Sequence, residues 1–469
     1  MDYQWPSGQL PFQAPYQPPA PIAYIAPPPG ISGPKETPWV RANLTPDTLV
    51  PICTYMQGDI VTRAGLLVDI AINITDLPRP VASLHEPVVV AIIQHAVKLK
   101  KLVIRSAEKL LRAFPRLVNA ISSHPGILGI HFHHAGQTCA DMLFAMQSPL
   151  TAIIVNEVAS VIDWTVSICP FAKTLEHLSL DYTSLDMLAQ YPNQTTFTAL
   201  VSLRLNPVWQ SEQKVYRSLA SWFPVLRQLT CESGRASNLD PEHIKDCRYT
   251  NKNNPPLKKW SVTKISGHAE VLYGLGLDRP VEVLNIWQVQ KECGLKCFQK
   301  IIEDCPATTF ERSGSSVEVF SDLFKLFRNV DHRFEMVDIS LEATSKNPPI
   351  DPDTFASRAV NLQNYLHRHL RRVKADFLRV NIRANKKDLA EAVRRRIDLT
   401  DFSSYLAQEV PSLGKVEIRI AGGGEIKDYI IRSEQYGKEG QWKMQRILDD
   451  EHIEEIKTFE TGDVSEDDS

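Results

Sequence analysis

The chain has 469 residues, of which 43% are hydrophobic and 23% are charged, and its formal net charge is −3, as in an ordinary globular protein. No stretch approaches the roughly 18 consecutive apolar residues of a transmembrane helix, and the N-terminus lacks the basic and then apolar order of a signal peptide. These features argue against a membrane protein. We therefore expect a cytoplasmic or nuclear location, in which the eight scattered cysteines are reduced.

Both ends of the chain have the composition of disordered tails. Residues 1 to 38 hold eleven of the 32 prolines and few charges, which predicts a disordered, Pro-rich N-terminal tail. Residues 449 to 469 hold ten acidic residues and one lysine. We predict that residues 433 to 469 form an acidic, mostly disordered tail, with some helix between 449 and 459.

Residues 39 to 66 are predicted to form a short helical cap. Thr45 is a suitable helix cap, and Pro46 is a suitable first helical residue. Leu49, Ile52 and Met56 then follow at helical spacing, which predicts a helix with one apolar face.

From residue 67 onward, a six-residue pattern with apolar positions 1, 4 and 6 recurs along the chain. Positions 4 and 6 share one face of a strand, and a strand this short can bury that face only beside a similar neighbour. A fixed repeat of strands is therefore expected. The clear copies are Leu67-Ile70-Ile72, Leu99-Leu102-Ile104, Ile127-Ile130-Phe132, Leu150-Ile153-Val155, Leu175-Leu178-Leu180, Leu200-Leu203-Leu205 and Leu226-Leu229-Cys231.

Weaker copies continue the pattern toward the C-terminus. Most steps between copies are 23 to 32 residues long, and several intervening segments are amphipathic and end at a proline, which predicts a helix before the next strand. The weaker copies are Leu257-Trp260-Val262, Val281-Leu284-Ile286, Cys305-Thr308-Phe310, Phe334-Val337-Ile339, Phe377-Val380-Ile382 and Leu413-Val416-Ile418.

This pattern resembles leucine-rich repeats, especially the irregular repeats of F-box proteins. The resemblance implies an α/β fold, a leucine-rich-repeat-like solenoid or horseshoe over residues 67 to 432, with strands on the concave face and helices on the convex face. The Asn or Cys that usually follows the pattern is replaced, for example by Ala135 and Val158, so we expect irregular repeats. Residues 44 to 66 also resemble the first helix of an F-box, which implies a cullin-ligase adaptor as a partner.

The C-terminal end of the solenoid carries a turn signal. Three glycines, residues 422 to 424, follow the last copy, and residues 425 to 432 alternate apolar and polar side chains. This order predicts a returning strand and therefore a hairpin that caps the last repeat.

The residues beside positions 4 and 6 point away from the core and should form a polar strip on the concave face. Within this strip, His131 and His133 could also bind zinc together with Cys139 and Asp141, but no second motif completes a metal site, and we predict no metal and no cofactor. A protein partner is the expected ligand. The predicted partner-binding residues are Arg105, His131, His133, Asn156, Asp181, Arg204, Asn206 and Glu232.

A basic segment between residues 358 and 396 is the strongest charge feature. It carries twelve Lys or Arg residues against three acidic ones. Three interpretations remain open: a solvated helix face, a patch for an acidic or phosphorylated partner, and nucleic-acid binding, which few aromatic residues support. The predicted basic patch consists of Arg368, Arg371, Arg372, Lys374, Lys386, Lys387, Arg394, Arg395 and Arg396.

None of the common catalytic motifs occurs in the chain: it has no nucleophile elbow, no zinc-protease motif and no nucleotide-binding glycine loop in the required context. The sequence therefore predicts a non-catalytic protein-recognition module. The F-box resemblance implies a substrate receptor of a cullin-type ubiquitin ligase, and the alternatives are a free-standing interaction scaffold and a binder of acidic ligands or nucleic acid through residues 358 to 396.

Overall fold

The computed structural model describes most of the chain between residues 31 and 460. The described residues are 31–32, 41–74, 79–158, 162, 164–184, 196–208, 215–232, 241–255, 260–287, 294–314, 332–343, 350–369, 373–384, 386–410, 412–422, 429–435, 441–447 and 453–460.

Strands and helices alternate along the chain. The strands are β1 (Ile31–Ser32), β2 (Arg41–Leu44), β3 (Asp69–Ile72), β4 (Lys101–Ile104), β5 (Gly129–His133), β6 (Ala152–Asn156), β7 (His177–Ser184), β8 (Ser202–Val208), β9 (Gln228–Cys231), β10 (Lys264–Gly267), β11 (Val281–Ile286), β12 (Ala307–Gly314), β13 (Phe334–Glu342), β14 (Ala375–Ala384), β15 (Lys415–Gly422), β16 (Tyr429–Gln435), β17 (Gln441–Ile447) and β18 (Ile453–Glu460). The helices span Leu49–Gln57, Ile60–Ala64, Arg79–His95, Ala107–Ala113, Pro115–Ser122, Gln137–Ala145, Trp164–Ile168, Val215–Trp222, Pro241–Asn253, Ala269–Leu275, Gly294–Asp304, Pro352–His369, Lys387–Arg396 and Leu399–Glu409.

The strands form one sheet in which each strand pairs with the strand that precedes it and the strand that follows it in the sequence. From β2 to β15 every pairing is parallel. A parallel neighbour requires a crossover connection, which the helices and the irregular segments between strands provide. The architecture is therefore an α/β solenoid, as predicted.

The core lies between the sheet and the helices. Position 4 of the repeat forms a continuous buried row, because the strand register aligns this position from one strand to the next. Each buried aliphatic side chain of this kind stabilises the fold by roughly 1.5 to 3 kcal/mol. The row consists of Ile70, Leu102, Ile130, Ile153, Leu178, Leu203, Leu229, Ile265, Leu284, Phe310, Val337, Leu378 and Val416.

The copies predicted at residues 257 and 305 are wrong in register. In β10, Ile265 pairs with Leu229, so this strand lies five residues after the predicted copy, and Trp260 instead donates from its Nε1 to the carbonyl of Phe223. In β12, Phe310 occupies position 4 because it pairs with Leu284. Both strands were misplaced because position 6, apolar elsewhere, is a glycine in β10 and an arginine in β12.

The copy predicted at Phe377 is also wrong, by two residues. Leu378 pairs with Val337 and occupies position 4, whereas Phe377 lies on the opposite face of the sheet and is only partly buried. The guanidinium of Arg379 lies 5.2 Å from the centre of the Phe377 ring, and Nζ of Lys415 lies 5.1 Å from it. β14 has more than two apolar residues on its buried face, so several registers fit the pattern. The pattern favoured the register that places the bulky Phe377 at position 1.

A parallel strand that was not predicted begins the solenoid. β2 pairs with β3, and the helix Leu49–Gln57 lies in the connection between these two strands. Its residues Leu49, Ile52 and Met56 are completely buried, in agreement with the predicted apolar face. Residues 1–30 and 33–38 of the predicted N-terminal tail lie outside the described residues, and Ile31–Ser32 pairs antiparallel with β2.

The C-terminal end of the sheet reverses its direction. β15, β16, β17 and β18 pair antiparallel in succession, so the predicted hairpin is present and two further hairpins follow it. Ile431, Trp442 and Met444 are buried. β17 and β18 fall within the tail that we predicted to be mostly disordered, and β18 occupies the place of the expected helix. The apolar residues Ile453, Ile456 and Phe459 recur every third position, which resembles a helical spacing, but antiparallel pairing with β17, with a register shift between Met444 and Gln445, makes this segment a strand.

Candidate functional site

The face of the sheet opposite the helices, called here the open face, carries the polar strip that the repeat pattern predicts. His131 and Arg204 occupy position 5 of their strands, and His133, Asn156, Asp181 and Asn206 occupy position 7. Arg105 and Glu232 follow position 6 of β4 and β9 directly. The structure therefore brings the eight predicted partner-binding residues to one face, in the order of their strands.

The two histidines of β5 contact each other on this face. Their ring centres are 4.1 Å apart, and Nε2 of His131 lies 3.0 Å from Nδ2 of Asn156. Burial lowers the pKa of His131 to about 4, and the positive charges of neighbouring His133, Lys101 and Arg105 add to this effect. Burial also lowers the pKa of His133. Both rings are therefore largely neutral at neutral pH.

The residues considered for zinc are not brought together. Cys139 is completely buried in the helix Gln137–Ala145, on the other side of the sheet from His131. Within the described part of the chain, no group of three or more His, Cys, Asp and Glu residues could hold a metal ion.

The central part of the open face carries ion pairs between adjacent or nearby strands. Arg204 and Glu232 form a salt bridge of 2.5 Å, and Lys264 and Glu311 form one of 2.8 Å. Burial raises the pKa of Glu232, while the charge of Arg204 opposes this shift. The backbone N–H of Glu157 donates to Asp181 at 2.9 Å. Charges in this region largely neutralise each other.

The C-terminal part of the open face is a closed polar network. Glu417 accepts from Arg379 at 3.2 Å and from Arg432 at 2.8 Å, and Asp338 accepts from Asn381 at 2.8 Å. Asn381 and Glu417 are each only 5% exposed. Asn381 and Glu417 are therefore occupied by neighbouring side chains and are poorly accessible to a partner.

The N-terminal end of the open face is different, because it forms a cleft with exposed cations. The cleft, called here the N-terminal cleft, crosses β2, β3 and β4 and has a volume of about 500 Å³. Arg41 pairs with Asp69 at 2.8 Å, whereas the side chains of Lys101 and Arg105 form no ion pair within the part of the chain that the structure describes. The polar residues that line the cleft are Arg41, Asn43, Asp69, Asn73, Lys101 and Arg105.

Sequence reasoning identified only Arg105 among these six residues. It began the repeats at residue 67 and so missed β2, which contributes Arg41 and Asn43. It also counted only positions 5 and 7 and thereby passed over Lys101 at position 3. Extending the pattern backward to Ala42 and Leu44, which are both completely buried, would have revealed the missing strand.

The basic segment of residues 358 to 396 is divided between the two faces of the solenoid. Lys387, Arg394, Arg395 and Arg396 lie on the helix Lys387–Arg396, and Lys386 precedes it, so these residues belong to the helical layer. Arg368 lies on the neighbouring helix, and Lys374 precedes β14. Other arginines of the same segment, such as Arg379 of β14, lie on the open face. Arg371 and Arg372 lie outside the described residues.

Acidic side chains partly neutralise the helical part of this patch. Arg396 pairs with Asp353 at 2.8 Å, and Glu391 lies 3.8 Å from both Lys387 and Arg395. Its role as a binding site for acidic ligands or nucleic acid stays a prediction.

Four buried cysteines of the described residues, Cys53, Cys139, Cys231 and Cys305, are poor nucleophiles. Burial raises the pKa of Cys53 to about 11 and the pKa of Cys139, Cys231 and Cys305 to about 12. A thiol must lose its proton to attack a substrate or to bind a metal, so these groups stay inert at neutral pH. Their contribution is to packing in the core.

No helix of the described residues combines the length and the apolar character that a membrane span needs.

Comparisons with known proteins give weak structural similarity and no match in sequence. No family model matches the chain, and no curated protein matches it. Among solved structures, the chain is similar to the leucine-rich repeat-containing protein LegL7 from Legionella pneumophila, at 13% identity and a TM-score of 0.34 over 65% of this chain and 87% of that chain. At this TM-score the similarity adds nothing to the fold assignment, which rests on the strand register.

Proposed function

We propose that this protein is a non-catalytic recognition module that binds a protein partner along the open face of its sheet. The observation that carries this proposal is the solenoid itself, in which parallel strands from β2 to β15 present successive rows of side chains on one uninterrupted surface. A long surface with a rigid backbone and varied polar side chains suits recognition of another macromolecule.

The proposal predicts that a charge reversal on the open face removes the partner, while a reversal on the helices does not. Arg204 of β8 is half exposed, and Arg116 of the helix Pro115–Ser122 is exposed on the other side of the solenoid. We expect Arg204→Glu to lose proteins that the full-length chain retains from a cell extract in salt-washed affinity purification. Arg116→Glu should retain them.

Circular dichroism spectra of both variants should match that of the parent chain, which separates a lost contact from a lost fold. Equal retention of the same proteins by all three chains would contradict binding through the open face. Equal loss by both variants would point to a nonspecific charge effect and would also count against the proposal.

A narrower form of the proposal makes the chain a substrate receptor of a cullin-type ubiquitin ligase, with the adaptor bound to residues 44 to 66. Its support is the sequence resemblance alone. Leu49, Ile52 and Met56 of the helix Leu49–Gln57 are buried in the solenoid itself. Val50 of this helix and Val61 of the helix Ile60–Ala64, which are 46% and 61% exposed, remain as apolar contacts for an adaptor. If the parent chain co-purifies with the adaptor and the Val50→Asp and Val61→Asp variants do not, this role is supported. If the parent chain does not retain the adaptor, the protein is a free-standing scaffold.

A further inference from the structure

The cations of the open face differ in whether a carboxylate accompanies them. Toward the C-terminus, Arg379 and Arg432 share Glu417, and in the centre Arg204 pairs with Glu232. In both regions the cations form ion pairs that link neighbouring strands of the sheet. Lys101 begins β4 and Arg105 directly follows this strand; both side chains are exposed, and no acidic group of the described residues lies within ion-pair distance of either.

The N-terminal cleft therefore has an excess of positive charge. Its charged residues are Arg41, Lys101 and Arg105 against Asp69, which leaves two uncompensated positive charges. The carboxylate of Asp69 is committed to Arg41, whose Nε donates to it at 2.9 Å. His131 borders the cleft but stays neutral at neutral pH, so it does not alter this balance.

The floor of the cleft leaves room for a bound chain. Position 5 of the repeat is Asn43 in β2, Ala71 in β3 and Val103 in β4, so two small apolar side chains lie between polar walls. Lys101 and Arg105 stand on opposite sides of this floor, because four residues along a strand separate them by roughly 13 Å. An extended peptide that crosses the strands along the floor directs alternate side chains toward the two cations.

We propose that the N-terminal cleft binds an extended acidic segment of a protein partner, whose Glu or Asp side chains pair with Lys101 and Arg105. This inference rests on the proposed function and names the chemistry of the partner. The amide side chains of Asn43 and Asn73 line the same cleft and supply hydrogen-bonding groups for the peptide backbone. Ala71 and Val103 contact the aliphatic part of the bound side chains.

Binding of a fluorescein-labelled hexaglutamate peptide, followed by fluorescence anisotropy with the full-length chain at low salt, tests this inference. We expect the double variant Lys101→Ser, Arg105→Ser to raise the dissociation constant about tenfold or more, because both charge contacts are lost. The matched control Lys386→Ser, Lys387→Ser removes the same charge from the exposed basic helix and should change the constant by less than about twofold. None of these four side chains is buried, so every variant should keep the parent melting temperature.

Three outcomes would overturn the inference. Hexaglutamate that does not bind the parent chain would exclude a cleft for acidic segments. An equal loss in the control would show that overall charge, not the cleft, attracts the peptide. Complete displacement of the peptide by millimolar inorganic phosphate would identify a phosphate site instead.

The test also separates this inference from the proposed function. Retention of partner proteins that is lost in Arg204→Glu and kept in the Lys101→Ser, Arg105→Ser variant would leave the open face as the binding surface and reject the acidic segment. If the cleft binds hexaglutamate but open-face variants do not change protein retention, the acidic-peptide site would be supported and the open face would be rejected as the surface that binds the retained proteins.

Discussion

At the scale of single residues, the open face tunes its charges by burial and by neighbouring groups. Burial disfavours the protonated form of His131, and the neighbouring charges of His133, Lys101 and Arg105 add to this effect. The unfolded chain carries this histidine with an ordinary pKa of about 6.5. The unfolded state therefore takes up a proton at pH values where the folded state does not, and acid works against folding at this position.

The stability that neutral His131 preserves is complete above pH 6.5 and is lost as the pH falls from 6.5 toward 4. Between pH 6.5 and pH 4 the free energy of unfolding should fall less in His131→Gln than in the parent chain. At pH 5 the two losses should differ by about 1 kcal/mol, a value reduced for solvent screening of the partly exposed ring. Urea unfolding at a series of pH values measures the difference. Parallel curves for the two chains would show that His131 titrates normally in the fold.

At the scale of elements, β10 shows how one residue sets the path of a strand. Gly267 occupies position 6 with φ of +152°, and a Cβ at this position would lie 2.1 Å from the carbonyl oxygen of Cys231 in β9. The backbones of the two strands approach closely here, so only glycine fits. A side chain would force β10 away from β9, with which it forms parallel ladder contacts.

Gly267→Ala should therefore lower the free energy of unfolding by at least about 2 kcal/mol, through backbone strain and the steric clash. Chemical denaturation followed by circular dichroism measures this loss. Gly414→Ala is the matched control, since its nearest contact would be an ordinary 3.6 Å from the carbonyl oxygen of Asp376. If the two substitutions have equal effects, the close approach of β9 and β10 does not constrain the strand.

The same element explains how far the sequence could predict the fold. Regular copies such as the one at Leu178 were placed correctly because three apolar side chains fix both the face and the register of a short strand. Prediction failed where position 6 holds a residue that makes a specific tertiary contact instead of an apolar residue. Gly267 satisfies a close backbone approach, and Arg312 is only 3% exposed and donates to the carbonyl of Ile286. Neither role leaves a periodic signal in the sequence.

The candidate site was predicted in part for a related reason. Alternation along a strand indicates which residues share the open face, and so it identified Arg105 and Arg204. It does not indicate which cations find a carboxylate on a neighbouring strand, because that depends on the pairing of distant segments. Glu232 neutralises Arg204, whereas no carboxylate of the described residues pairs with Arg105, although the two arginines look alike in the sequence.

At the scale of the whole molecule, the solenoid needs its ends covered. Strands β16 to β18 cover the last parallel repeat, and Ile431, Trp442 and Met444 bury their side chains there. The hydroxyls of Ser403 and Ser433 are 2.8 Å apart in the same buried region, which ties β16 to the helix Leu399–Glu409. Without such a cap, a repeat exposes its apolar layer to water.

Truncation after residue 422 should therefore destabilise the C-terminal repeats by at least about 4 kcal/mol, given the three large apolar side chains that leave the core. We expect an earlier unfolding phase in urea and aggregation in size-exclusion chromatography. Removal of residues 461 to 469 alone serves as the control and should leave the unfolding curve unchanged. Unchanged unfolding after the larger truncation would show that β16 to β18 do not cap the solenoid.

Because each strand pairs only with its neighbours in sequence, the sheet can be assembled in the order in which the chain is synthesised. β2 and β3 can pair before β15 has left the ribosome, and each new strand finds its template already in place. The acidic binding segment inferred above would meet β2, β3 and β4, the first parallel strands to emerge. A nascent chain halted midway through translation would thus already carry a finished N-terminal cleft.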